Sequence, residues 1–126
     1  MPKEIVFTSN APKPVGPYSQ AVTCGGFVFV SGQIPIDPTT QKVVEGDIEK
    51  QTVQVMENLK NILENINLTL SDVVKTTVFL SDLGNFKRFN NVYAKYFEKS
   101  PPARTTVQAG LMAGVLLEVD AIAKKI

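Results

Sequence analysis

The residue in the most chemical setting is Arg104. It stands in Ser100-Pro101-Pro102-Ala103-Arg104-Thr105-Thr106-Val107, after an aromatic segment and before an apolar one. Prolines end helices because they lack an amide donor and restrict the residue before them. The β-branched run Thr105-Thr106-Val107 favours extended backbone. Arg104 is therefore expected near the start of a strand, on stiff chain. There a guanidinium can grip a planar anion through two parallel hydrogen bonds. The competing use is a surface ion pair, worth ~0–1 kcal/mol. Local sequence leaves both open.

Glu118 and Asp120 interrupt the apolar run Val115–Ala123 and share one strand face by the period of two. Such acids are either edge-strand charges or partly buried, partnered carboxylates. The short link between the last two strands predicts that they pair as a hairpin, with Arg104 close to Glu118. A guanidinium in that place would keep the carboxylate ionised, able to orient or deprotonate a water. Thr106 shares Arg104's face. Tyr18 and Ser31 stand where strands meet loops, either in the site or capping local backbone.

The composition narrows the chemistry. The chain has 126 residues, 44% of them hydrophobic, which is enough for one domain spanning 1–126 with a substantial core. There is no histidine, which removes the usual imidazole base, the usual zinc ligand and the Ser-His or Cys-His pairs together. Carboxylates, tyrosine, lysine, hydroxyls, backbone groups and water remain. Thirteen basic against twelve acidic residues give a net charge of +1. No basic block offers a nucleic-acid groove. The lone Cys24 cannot form an internal disulfide; it lies in the apolar stretch Ala21–Val30 and is expected to be a buried, inert thiol in a reducing compartment. No phosphate-binding glycine loop, dinucleotide fingerprint or metal-ligand spacing is present, so neither cofactor nor metal is expected. The N-terminal Met-Pro-Lys-Glu-Ile-Val-Phe has no signal-peptide or membrane-span character, and a cytoplasmic location is expected. Asn67-Leu68-Thr69 matches the glycosylation triplet, read here as coincidence.

The elements that must position these groups follow from periodicity. Ile5-Val6-Phe7 is a short strand, followed by an irregular loop over 10–17 with three prolines and a glycine. Ala21–Cys24 and Phe27–Val30 read as strands joined by the Gly25-Gly26 turn, with Ser31-Gly32-Gln33 as a small step at the end and residues 34–40 as a loop. Asp47–Asn67 is the clearest helix: Ile48, Val55, Met56, Leu59, Ile62, Leu63 and Ile66 form one apolar stripe. Val73–Leu80 is the strongest strand, expected in the centre of a sheet and covered on both faces. A second amphipathic helix spans roughly 85–98, with Phe86, Phe89, Val92, Tyr93, Tyr96 and Phe97 on its core face. Arg104–Ala109 and Val115–Ala123 are the last strands, with Gly110–Gly114 as the turn between them. The class is α+β: one mixed sheet with two helices. Two helices cover only one face, so the other, carrying Val, Phe, Leu and Ile, is expected to be buried by self-association in a closed ring.

Taken together, Gly16-Pro17-Tyr18-Ser19-Gln20, Ser31-Gly32-Gln33-Ile34, Val74-Lys75-Thr76-Thr77-Val78, Pro102-Ala103-Arg104 and Glu118-Val119-Asp120-Ala121-Ile122-Ala123 resemble the YjgF/RidA family of reactive-intermediate deaminases, in the family's order across nearly the whole chain. The resemblance implies a chorismate-mutase-like (YjgF-type) fold, a homotrimer packed sheet to sheet with clefts between subunits, and hydrolysis of 2-imino acids, such as 2-iminopropanoate and 2-iminobutanoate, to 2-oxo acids and ammonia. It further implies that Arg104 holds the substrate carboxylate with help from the Thr106 amide, and that Glu118 orients the attacking water. Tyr18, Ser31 and Gly32 would line the site, while Asn90, on the second helix, would be structural. Many members carry cysteine where Thr106 stands, so a reactive thiol there has no part in this chain. Many also have an aromatic residue at the place of Pro101. Two other classes compete: an RNA-cleaving translation inhibitor, an activity also attributed to this family, and a non-enzymatic, chaperone-like or ligand-binding trimer. Neither a nucleic acid nor a membrane is an expected partner.

Overall fold

The computed structural model describes residues 2–125. Eight strands and two helices follow one another as β1 (Glu4–Val6), β2 (Ala21–Cys24), β3 (Phe27–Gln33), β4 (Ile36–Asp37), β5 (Lys42–Val43), α1 (Ile48–Glu64), β6 (Val73–Leu80), α2 (Phe86–Tyr96), β7 (Ala103–Gln108) and β8 (Leu117–Lys124). Six strands form one sheet in the order β1-β2-β3-β8-β6-β7, and β4 and β5 form a small separate hairpin within the expected loop. The class is α+β, a mixed sheet with two helices.

Local sequence explains most elements. Asp47 caps α1, its carboxylate accepting from the Lys50 amide at 3.0 Å and facing the positive helix end. The stripe from Ile48 to Leu63 is buried, and it packs on β3 and β8. Phe89, Val92 and Tyr93 form the buried face of α2, which lies beside α1. On the outer surface, Arg88 of α2 ties to Glu49 and to Asp47.

Strand order departs from the expected hairpin. β7 pairs in parallel with β6, with Thr76 opposite Arg104 and Val78 opposite Thr106. β8 lies antiparallel between β3 and β6, with Phe79 opposite Glu118. The short connection after β7 thus carries the chain past β6 instead of folding it straight back. Burial explains the choice. Leu117, Val119, Ala121 and Ala123 of β8 are all fully or almost fully buried and fill the middle of the helix-covered face. β7, alternating Arg104, Thr105 and Thr106, takes the edge, where polar side chains cost least.

β6 is internal to the sheet as expected, but only one of its faces is covered within the chain. Thr76, Val78 and Leu80 are buried, whereas Val74 is exposed and Lys75, Thr77 and Phe79 are partly so. The uncovered face also carries Ile5, Phe27 and Phe29 in exposed positions. Cys24 is half-buried, short of the buried thiol expected.

Candidate functional site

Glu118 lies on the uncovered face, beside a defect in β3. Between Val30 and Gln33 the β3–β8 register shifts, because three steps along β3 face two along β8, from Ala121 to Val119. The extra residue falls at Ser31-Gly32, inside the strand and not after it. Gly32 allows this placement: a Cβ would overlap the Glu118 carboxylate, standing 2.8 Å from its Cδ and 3.0 Å from its Cγ, so any larger residue would push the carboxyl group aside. The missing side chain lets the carboxyl group lie directly over the β3 backbone.

The loop before β2 closes over the same place. Gln20, only 2% exposed, gathers it: its Oε1 accepts from the Thr8 amide, and its Nε2 donates to the carbonyls of Thr8, Ala11 and Pro12. Tyr18 follows a tight turn from Gly16, and its hydroxyl accepts from the Val15 amide at 3.2 Å. The Ser31 hydroxyl donates to the Ser19 carbonyl at 2.6 Å, so its proton is used within the fold while its lone pairs stay available. Tyr18, Ser31, Gly32 and Glu118 come together around one cavity of about 550 Å³, with Lys13, Gln33, Ile34 and Met112 also in its wall.

Arg104 is elsewhere. Paired residues share a sheet face, so Arg104 and Thr106 lie with Thr76 and Val78 on the helix-covered side, while Glu118 lies with Phe79 on the other. The expectation that Arg104 neighbours Glu118 within the chain is overturned, because β6 separates their strands and the sheet separates their side chains. Arg104 instead fits against α2. Its Nη1 donates to Asn90 Oδ1 at 2.8 Å, and its Cζ sits 4.9 Å from the Tyr93 ring centre, 5.5 Å from that of Phe86 and 5.8 Å from that of Phe89. Stacking and one amide contact fix the guanidinium while leaving most of its five N–H donors free. Among the described residues the ion pairs are Lys60–Glu57 and those of Arg88; none involves Arg104. The surface ion pair is therefore not what this side chain makes. It opens on a second cavity, of about 470 Å³, with Asn90, Tyr93, Phe97, Pro101 and Pro102. The Thr106 Oγ1, on the same face, is buried without a hydrogen-bond partner. Such an atom calls for a water or a ligand.

The electrostatics of Glu118 also differ from expectation. Burial pushes its carboxyl above the ordinary value, and the nearby Asp120 charge adds to the rise; no guanidinium pulls it down. A raised acid favours the protonated form in the fold. Its contribution to stability is complete below the unfolded-state value and is lost as pH rises through the folded-state value. Asp120→Asn removes the second cause, so the Glu118 carboxyl should titrate at lower pH in that variant. Carbon-13 NMR of labelled glutamate side chains reads this directly; an unmoved midpoint would remove Asp120 from the account.

Sequence reasoning found Tyr18, Ser31, Gly32 and Glu118 as neighbours but missed Lys13, Gln33 and Met112 of the same wall. It also missed the part Asn90 plays in fixing Arg104. The aromatic stripe of α2, read as core, additionally supplies the rings beneath the guanidinium; its spacing carried no sign of that second use. Among the described residues no group of three or more His, Cys, Asp or Glu is arranged to hold a metal ion, and no helix is long and apolar enough to cross a membrane.

Comparison with known proteins agrees with this architecture. The family profile described as Endoribonuclease L-PSP matches residues 8–125. A RutC family protein of Pyrococcus horikoshii is 55% identical over 124 residues, which cover 98% of this chain and 98% of that protein. The chloroplastic Reactive Intermediate Deaminase A of Arabidopsis thaliana is 45% identical over 122 residues, covering 96% of this chain and 65% of that protein. Among solved structures, E. coli TdcF with bound serine is 38% identical and superposes with a TM-score of 0.93, covering 98% of this chain and 99% of that one.

Proposed function

The chain belongs to the YjgF/RidA family, whose profile bears the Endoribonuclease L-PSP name, and from that premise we propose that it hydrolyses reactive 2-imino acids to 2-oxo acids and ammonia. The observation that carries this reading is Arg104: a fixed guanidinium with no carboxylate partner among the described residues, opening on a cavity. A substrate carboxylate is the group such a side chain lacks. The serine bound to TdcF and the deaminase name of the Arabidopsis relative point to the same amino-acid-sized, carboxylate-bearing class.

Because Arg104 and Glu118 of one chain face opposite sides of the sheet, the site is completed by a second copy. The exposed Ile5, Phe27 and Phe29 give the uncovered face an apolar surface that another chain can bury. Three chains closing in a ring make three shared clefts, each with Arg104 from one subunit and Tyr18, Ser31, Gly32 and Glu118 from its neighbour.

The reaction needs little beyond placement, since the imine carbon is already electrophilic. Arg104 and the Thr106 amide hold the carboxylate; Glu118 orients a water. As the water oxygen bonds to the carbon of the protonated imine, Glu118 takes one of its protons and the C=N electron pair moves to the nitrogen, leaving a neutral amine. Glu118 returns the proton to that nitrogen, the C–N bond breaks, and the remaining hydroxyl proton leaves to give the 2-oxo acid and ammonia. An enamine substrate enters after tautomerising to the imine. A carboxyl raised above its ordinary value suits a group that both takes and returns a proton.

The test is turnover of freshly generated 2-iminopropanoate, compared with its spontaneous decay. Acceleration is expected; a rate equal to that of buffer would overturn the reading. Light scattering should report about three chain masses. Arg104→Lys and Glu118→Gln, each impaired alone, should regain roughly a quarter of wild-type activity when unfolded and refolded together, because a random mixture rebuilds some intact shared sites. No regain would put both residues in one subunit's site.

A further inference from the structure

The segment between β7 and β8 carries an apolar side chain that neither the carboxylate clamp nor the water requires. Met112 is 70% exposed, yet it forms part of the wall of the cavity that holds Glu118. The backbone holds it there against local preference. Ala113 adopts φ 57° and Gly114 φ 66°, a left-handed pair that costs the alanine conformational energy. Gly110, before it, has open space where a Cβ would stand. A large exposed apolar group on a strained, glycine-flanked turn needs something to cover.

The cavity supplies a reason. In the single chain it measures about 550 Å³, within the range of ~300–1,000 Å³ that takes drug-sized ligands, so even with a neighbour's Arg104 at its mouth it offers room beside a three-carbon imino acid. Beyond the polar groups already assigned, Val15, Ile34, Ile36 and Met112 make much of its wall apolar. Methionine is unbranched and polarisable, and it adapts to flexible chains of varying length.

We propose that Met112 is a specificity-determining residue, its thioether packing on the substrate side chain, so that the site prefers 2-imino acids with extended aliphatic chains over the alanine-derived one. The proposal rests on the imine-hydrolysis reading, and its test separates the two. Imino acids are generated by an amino-acid oxidase from alanine, 2-aminobutyrate, norvaline and norleucine, and kcat/KM is measured for wild type and Met112→Ala. Wild type should rise along the series. Met112→Ala should lose at least about tenfold for the norleucine-derived substrate, since one methylene in an apolar pocket is worth ~10–200-fold, and change little for the alanine-derived one. A flat wild-type series, or an equal loss for all four, overturns the proposal and leaves hydrolysis standing. So does a change of assembly mass in Met112→Ala by light scattering, which would make Met112 a subunit contact.

A second readout does not depend on turnover. With carbon-13 methionine methyl labels, 2-oxohexanoate should shift the Met112 signal, assigned by its loss in Met112→Ala, and leave buried Met56 unmoved; pyruvate should shift neither. If wild type hydrolyses none of the imino acids, the reaction reading fails, and this titration still decides whether Met112 receives the alkyl chain. A Met112 signal that ignores 2-oxohexanoate overturns the proposal.

Discussion

Arg104→Lys is expected to leave the chain folded and assembled while lowering kcat/KM for 2-imino acids by at least on the order of 10²-fold. The substitution keeps the charge and removes the shape. Arg104 is held by one hydrogen bond to Asn90 and by the rings of Phe86, Phe89 and Tyr93, which orient the guanidinium plane. Lysine brings a compact ammonium on a flexible stem, with neither a plane to stack nor two parallel donors. A substrate carboxylate would still be attracted but free to rotate, and the imine carbon would leave the path of the water. A displacement of about 1 Å costs about that factor. Stability should change only modestly, because among the described residues Arg104 makes no ion pair and lysine keeps a cation beside the same rings and Asn90. The measurement is kcat/KM together with light scattering and thermal unfolding. Near-normal turnover would take the arginine out of the mechanism.

How much of this was legible in the sequence depends on whether the signal is local. The α1 stripe, the Gly25-Gly26 hairpin and β6 follow from periodicity and turn chemistry within a few residues, and each is found where expected. Strand order is not local. The short link after β7 suggested a β7–β8 hairpin, but the order is settled by which strand best fills the middle of the sheet, and β8, apolar at every inward position, wins that place. The period of two correctly put Thr106 with Arg104 and Asp120 with Glu118. It could not say that the two pairs face opposite sides, since that needs the order. The same error misdirected the electrostatics: within its own chain Glu118 is raised by burial and Asp120, and the Arg104 of that chain does not hold it down. The uncovered face was legible because counting two helices against one sheet needs no topology. The bulge at Ser31-Gly32 has a local sign, a Ser-Gly pair continuing an apolar strand, but the same pair is equally the sign of a strand's end.

Glu118→Gln tests the other half of the cleft, and here kcat should fall far more than binding of a 2-oxo acid weakens. The amide keeps the size of the carboxyl and its place over Gly32, where the missing Cβ leaves room for it. It cannot take the proton from the attacking water, and acid–base assistance is worth ~10²–10⁴-fold. Binding through the arginine is untouched, so the loss belongs to kcat and not to KM. The fold should not suffer. With its carboxyl raised by burial and by Asp120, ionised Glu118 costs stability at neutral pH, and the neutral amide removes that cost. The variant should therefore unfold at an equal or higher temperature than wild type at pH 7, and the difference should shrink as acid protonates the wild-type carboxyl. This pairing of a slower reaction with an undiminished fold is what separates a proton-handling group from an edge-strand charge. An edge charge predicts small, equal changes in kcat and KM and no pH dependence in the stability difference. A kcat within a few-fold of wild type would leave the water without its base and return Glu118 to that plainer role.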